Sequence, residues 1–345
     1  MHLPYLTSDV PGVPGRLRAT PEDFRVDEVP AYLPEGRGTH LFVRFEKRDL
    51  TTPEATKRLA RALDIPPDRV GFAGLKDRDA VTTQWASFEG GDPERALGLE
   101  LEGIRILEAA LHANKLRTGH LRGNRFRLVV RDVPEDRQED VRRVLERLER
   151  DGLPNYYGEQ RFGRDGDNLP RALAWIVEGG RAPKAPFERK MLASVFQSEL
   201  FNRRVAARVR AGELARVFLG DLVRKEDTGG MFVALDVEEA NERSARWALS
   251  PTGPMFGPEM RWPEADARAI EEALLAEVGM TPADLSRLGK AAPGTRRPVR
   301  IRPADLSWEW NAGSIVLGFE LPAGSYATVL TRELLKGDAA PPERR

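Results

Sequence analysis

Val70-Gly71-Phe72-Ala73-Gly74-Leu75-Lys76-Asp77-Arg78-Asp79 passes from an apolar run into unbroken charge within a few residues. The first half reads as a short strand and the second as its polar exit, where side chains on a rigid scaffold are well placed for chemistry. Before it, Thr51-x-x-Glu54 has the form of a capping box. Ala55, Leu59, Ala62 and Leu63 then recur at helical spacing until Pro66-Pro67 ends the element. Further upstream, Arg18 to Val29 alternates around Phe24, Val26 and Val29, and Leu41-Phe42-Val43-Arg44-Phe45 reads as a strand. Downstream, strand signals at Thr83 to Phe88, Gly103 to Ala110 and Asn124 to Val130 precede a helix with Val141, Val144, Leu145 and Leu148 on one stripe. Strands and helices mix without strict alternation, so the expected fold class is α+β with a mixed, mainly antiparallel sheet.

The pattern then changes. Helical periodicity dominates from Pro186 to about Gly212 and from Asp266 to Gly279, with short strand-like pieces near Val217 and Phe232. Strand signals return at Val299-Arg300-Ile301-Arg302 and Ser314 to Leu321, followed by a loop and a helix from about Thr328 to Leu335; the tail from Gly337 to Arg345 is expected to be disordered. At 345 residues the chain exceeds the usual size of one core, so two domains are expected.

Composition removes whole classes of function. No stretch approaches the roughly 18 consecutive apolar residues of a membrane helix, and Met1 to Gly15 has proline and glycine where a signal peptide carries an apolar segment, so a cytoplasmic protein is expected. With no cysteine there is no disulfide, thiolate zinc site or cysteine nucleophile. The histidines His2, His40, His112 and His120 match no metal-binding spacing, and no metal is implied. The phosphate-loop pattern and Gly-x-Ser-x-Gly are absent, and the dinucleotide fingerprint that begins at Gly36-Arg37-Gly38 breaks at Leu41.

Charge is informative only locally, because 54 basic side chains balance 54 acidic ones. Lys115 to Arg127 contains Lys115, Arg117, Arg122, Arg125 and Arg127 and no acid; Lys290 to Arg302 contains Lys290, Arg296, Arg297, Arg300 and Arg302 and no acid. Such runs are usually solvated surface. Two of them, set against acidic stretches such as Glu264 to Glu277, describe a polarised molecule with a face suited to phosphates.

Lys76-Asp77-Arg78 admits two readings. A charged triplet is commonly a turn with a surface salt bridge. Here Gly71 and Gly74 leave the backbone open to close approach by a ligand, and flanking cations can keep a carboxylate ionised, as a nucleophile requires. Asn155-Tyr156-Tyr157-Gly158-Glu159-Gln160-Arg161-Phe162-Gly163 likewise suits either a junction turn with its aromatics in the core or a surface on which bases stack. Arg122-Gly123-Asn124-Arg125-Phe126 and Pro322-Ala323-Gly324-Ser325-Tyr326-Ala327-Thr328 have the same duality, whereas Trp308 and Trp310 alternate onto one strand face and are expected in the core.

Taken together, these segments resemble the TruD family of tRNA pseudouridine synthases, in order along nearly the whole chain. The family's Glu-Asp-Phe-x-Val-x-Glu is similar to Glu22 through Glu28, and its Ala-Gly-Leu-Lys-Asp-Arg stands as Ala73 through Arg78, followed by Ala80-Val81-Thr82. Its Gly-Asn-x-Phe is similar to Gly123 through Phe126, its Asn-Tyr-Phe/Tyr-Gly-x-Gln-Arg-Phe-Gly to Asn155 through Gly163, and its Gly-Ser-Phe/Tyr-Ala-Thr to Gly324 through Thr328. The chain departs at Asp79, where the family often has His, and at Arg18, where it has Lys.

The resemblance implies a discontinuous α+β catalytic domain, residues 1–154 and 299–345, with a helix-rich α+β insertion, residues 155–298. It implies that Asp77 is catalytic, as nucleophile or as base, that Phe24, Asn124, Phe126 and Tyr326 line a uridine pocket, and that Arg18, Lys76 or another cation pairs with Asp77. Asn155, Gln160, Arg161, Lys115, Arg122 and Arg125 become candidate contacts to RNA or cleft. The implied partner is tRNA, modified at position 13, with no cofactor, no metal, no membrane and no protein partner, and a monomer is expected. The competing reading is a non-catalytic RNA-binding protein or RNA chaperone.

Overall fold

The computed structural model describes residues 3–163 and 166–337. The tail expected to be disordered lies, beyond Gly337, outside the described residues. The fold is α+β, and among the described residues no helix is long and apolar enough to cross a membrane. The chain divides into two compact units, one of Pro11–Arg143, Pro303–Ala327 and Leu334–Arg345, the other of Met1–Val10, Val144–Arg302 and Thr328–Glu333.

The first unit is built on a nine-stranded sheet. Its strands are β1 (Arg16–Leu17), β2 (Phe24–Pro30), β3 (His40–Arg48), β4 (Val70–Phe72), β5 (Val81–Glu89), β6 (Ile104–His112), β7 (Leu121–Arg131), β8 (Ala304–Asn311) and β9 (Ser314–Pro322). The order is β8-β9-β7-β2-β5-β3-β6, with β1 on β7 and β4 on β5. Every pair is antiparallel except β2 with β5, which run parallel at the centre in the register Arg25 to Val81.

That position explains the composition of β5. Its residues are buried from Val81 through Phe88, so it shows no polar-apolar alternation, as a strand covered on both faces should not. In β9 the alternation is clean, with Ile315, Leu317, Phe319 and Leu321 buried. The Thr52–Ala62 helix begins at the expected capping box: Thr51 Oγ1 accepts from the Glu54 amide at 3.3 Å and Glu54 Oε2 accepts from the Thr51 amide at 2.8 Å. Its Ala55 and Leu59 join Leu41, Val43, Phe45 and Phe88 in one core. Trp308 and Trp310 do share a face, but they are half-buried rather than in the core, because β8 is an edge strand covered on one side only.

The second unit wraps helices around a four-stranded sheet ordered Met231–Val233, Leu222–Lys225, Leu249–Met255, Thr295–Pro298. The strand expected near Val217 lies instead at Leu222–Lys225, and Val217 is a buried residue whose amide donates to Asn241 Oδ1 at 2.9 Å. Leu249–Met255 is wholly buried despite Pro251 and Pro254, the residues that hide it from a sequence reading. The 25-residue Pro186–Arg210 helix runs through the middle of this unit, and its Phe196 and Leu200 pack with Trp175, Phe256, Leu275 and Leu285.

Candidate active site

Asp77 stands on the loop that leaves β4 and enters β5, and buried hydrogen bonds hold that loop from several sides. Lys47, the in-phase partner of Leu41, Val43 and Phe45 on β3, donates from Nζ to the Asp77 backbone carbonyl at 2.6 Å. The Lys76 amide donates to Thr52 Oγ1 at 2.9 Å, and that hydroxyl donates onward to Gln84 Oε1 of β5 at 2.7 Å. Lys76 Nζ pairs with Glu28 Oε2 of β2 at 2.7 Å, and Glu28 Oε1 accepts from the Trp85 amide of β5 at 3.1 Å. A loop tied to its neighbours in this way is pre-organised.

The carboxylate itself faces outward. Its side chain is 43% exposed and accepts a hydrogen bond from Arg18 Nη2 at 2.8 Å. Arg18 is a non-glycine residue at φ 56°, a conformation of positive φ that costs energy and tends to be kept where function requires it. Its guanidinium lies 3.9 Å above the Phe24 ring. Phe24 meets Phe126 edge to face at 6.3 Å, and Phe126 stacks on Phe319 at 5.2 Å. The sheet register explains this convergence, since Phe126 of β7 lies opposite Val26 of β2 and Phe319 of β9.

Which cation meets Asp77 is thereby settled in favour of Arg18. Lys76 points to the opposite side and is consumed by Glu28, as adjacent residues of an extended segment must diverge. Gly71 also departs from expectation: a β-carbon there would collide with the Leu116 carbonyl oxygen, so its missing side chain admits protein backbone rather than a ligand. Sequence reasoning missed Lys47, Thr52 and Leu75. Lys47 could have been found as a charge in the apolar phase of a strand, and Leu75 is 70% exposed, an apolar side chain standing in the open beside Asp77. Burial pushes the Lys47 ammonium down to about 8, while the Asp77 charge draws it back up.

Asn124 sits on β7 across from Glu28 and Leu321, and its Oδ1 is buried with no hydrogen-bond partner among the described residues. Tyr326 is half-buried and closes the turn that leaves β9, a turn anchored at the same end of β7 by the Ala323 amide donating to the Arg122 carbonyl at 3.0 Å. Arg122 and Arg125 are exposed on β7 and lie 3.7 and 3.5 Å from the carboxylate of Glu320. Lys115 donates to the Asp68 carbonyl at 2.6 Å.

Asn155, Gln160 and Arg161 belong to the other unit. Asn155 is buried there: its Nδ2 donates to the Pro298 carbonyl at 2.8 Å and its Oδ1 accepts from Arg297 at 2.5 Å. Arg161 lies 5.0 Å above the Tyr157 ring, and Gln160 is exposed.

The profile of the tRNA pseudouridine synthase D (TruD) family matches residues 1–178 and 186–334. The chain belongs to this family. A tRNA pseudouridine synthase D of Anaeromyxobacter dehalogenans is 48% identical over 347 residues, covering 99% of each chain. The protein of that name from Thermus thermophilus is 44% identical, covering 97% of this chain and 93% of its own. The crystal structure of a putative TruD from Methanosarcina mazei superposes with a TM-score of 0.77 at 25% identity, covering 97% of this chain and 99% of that one. Family, relatives and fold thus agree over essentially the full length of the chain.

Proposed function

We propose that this chain works as its family does: it is a tRNA pseudouridine synthase, an isomerase, and Asp77 is the group that acts on the ribose of the target uridine. The resemblance read in the sequence implies position 13 for that uridine. The reaction breaks the bond between C1′ and N1, turns the uracil and joins C5 to C1′; C5 gives up its proton and N1 takes one up, so atoms, protons and electrons balance overall. It requires a carboxylate beside the sugar and walls that retain the detached base.

The observation that carries the assignment is an accessible Asp77 carboxylate paired with a guanidinium that lies 3.9 Å above the Phe24 ring, on a loop whose backbone is tethered by buried groups. Asn124 keeps a buried amide oxygen without a hydrogen-bond partner among the described residues, Leu75 offers apolar surface, and Tyr326 keeps more exposed surface than Phe24 or Phe126 for stacking. Extruding the uridine from its stack costs a few kcal/mol, which these contacts offset. A non-catalytic RNA-binding or chaperone role is not favoured, because the relatives are named as synthases.

The test is tRNA incubated with wild type and with Asp77→Asn, then probed by carbodiimide-dependent primer extension. Wild type produces a stop at one uridine; Asp77→Asn lowers turnover by about 100-fold or more and leaves tRNA affinity nearly unchanged. No stop with wild type removes the enzyme reading, and full turnover by the variant removes Asp77 from its role.

A further inference from the structure

A second concentration of charge lies wholly within the helix-rich unit. Arg203, Arg204 and Arg210 of the Pro186–Arg210 helix face Ile270 and Leu274 of the Ala265–Ala276 helix and Glu277 beyond it across a pocket of about 300 Å³. Positions 203 and 210, two turns apart, lie on one side of the first helix, as 270 and 274 do on the second.

Behind the pocket the charges do not balance. Arg208 pairs with Asp221 at 2.8 Å, and Arg296 takes both oxygens of Glu271 at 2.7 Å, with all four side chains almost fully buried. Arg204 is a third buried guanidinium, 6% exposed; the carboxylates whose charges reach it, Asp221 and Glu271, are each already paired with another arginine, its Nε has no hydrogen-bond partner, and its guanidinium carbon lies 5.8 Å from the centre of the Phe218 ring. Among the described residues neither Arg204 nor Arg210 forms an ion pair, while Arg203 pairs with Glu199 at 2.9 Å. Burial and the charge of Arg208 hold Arg204 down to about 10 while Asp221 and Glu271 draw it back up, so it remains a cation at neutral pH. Three buried guanidinium groups thus share two carboxylates; a buried cation with no ion pair of its own is costly, and an anion in contact with it relieves that cost.

We propose that this pocket is a binding site for a phosphate-class oxyanion, held by Arg204 at its base and by Arg203 and Arg210 at its mouth. Guanidinium forks suit a tetrahedral oxyanion, which accepts hydrogen bonds on several oxygens at once. Glu277, the carboxylate of the lining, sits at the exposed rim and sets a limit on the charge that enters. The phosphate is either free in solution or part of an RNA backbone.

Thermal unfolding of the full chain in inorganic phosphate, against chloride at matched ionic strength, reads the site without turnover. Wild type gains stability in phosphate. Arg210→Ala and Arg203→Gln each weaken that binding about ten-fold, whereas Arg181→Ala, an exposed arginine outside the lining, leaves it unchanged. Arg204→Met unfolds at higher temperature in chloride and loses the response to phosphate. A second arm follows tRNA affinity against salt: a slope shallower by about one in Arg210→Ala assigns the anion to RNA phosphate, and an unchanged slope with the phosphate response lost assigns it to the free ion. The site is overturned if phosphate has no specific effect and the tRNA slope is unaltered, or if both mouth variants keep the wild-type phosphate response.

Discussion

Lys47 shows how a single residue records its surroundings. In the unfolded chain its ammonium titrates at about 10.5, and in the folded protein burial brings it to about 8. Below pH 8 both states hold the proton and the folded one bears the cost of burying it. Between about 8 and 10.5 the unfolded state binds more protons, so stability rises with pH across that window, by up to about 3 kcal/mol. Urea titrations of wild type and Lys47→Met over this range check the sign: the rise belongs to wild type and is missing from the variant. An equal rise in both would assign it to other groups. Because Lys47 holds the Asp77 carbonyl, the variant also turns over more slowly while its tRNA affinity stays near wild type. The residue was legible in principle, as a lysine in step with Leu41, Val43 and Phe45, but its target was not, because Asp77 lies on another segment.

Strands and loops act together around Glu28. This carboxylate of β2 binds both the Lys76 side chain and the Trp85 amide, so it fastens the loop that carries Asp77 to β2 and to β5 at once. Removing one member of a buried pair leaves the other uncompensated, and Lys76→Met costs about 3–5 kcal/mol. The double change Lys76→Met with Glu28→Leu recovers part of this loss, which chemical unfolding of the two variants measures. A double variant less stable than the sum of its singles would show that Glu28 serves Trp85 more than Lys76. Local signals predicted the elements that local forces make: the capping box at Thr51 starts a helix, and alternation marks β9. They failed at Leu249–Met255, where tertiary burial holds a strand that contains two prolines, and at Val217, where an irregular segment whose backbone is satisfied by Asn241 replaces a strand.

At the scale of the molecule a net charge of zero conceals local fields, and their strength depends on pairing. Arg122 and Arg125 project from β7, yet both share the Glu320 carboxylate. Glu320→Gln therefore frees two cations: tRNA affinity increases and its dependence on salt steepens, whereas Arg125→Ala makes that dependence shallower by about 0.9. Filter binding across a salt series measures both, and unchanged slopes would exclude this face from the RNA contact. The ordered motifs from Glu22 to Thr328 were enough, by themselves, to determine the family and an α+β fold with a largely antiparallel sheet, because strand alternation, helical period and turn chemistry are written in neighbouring residues. Only the tertiary structure decided that Arg18, 59 residues from Asp77, pairs with it while adjacent Lys76 does not, that Gly71 admits the Leu116 backbone, and that Arg204 forms no ion pair among the described residues because Asp221 and Glu271 are taken by other arginines. Burial and pairing arise where elements distant in the chain meet, and no local pattern carries that information.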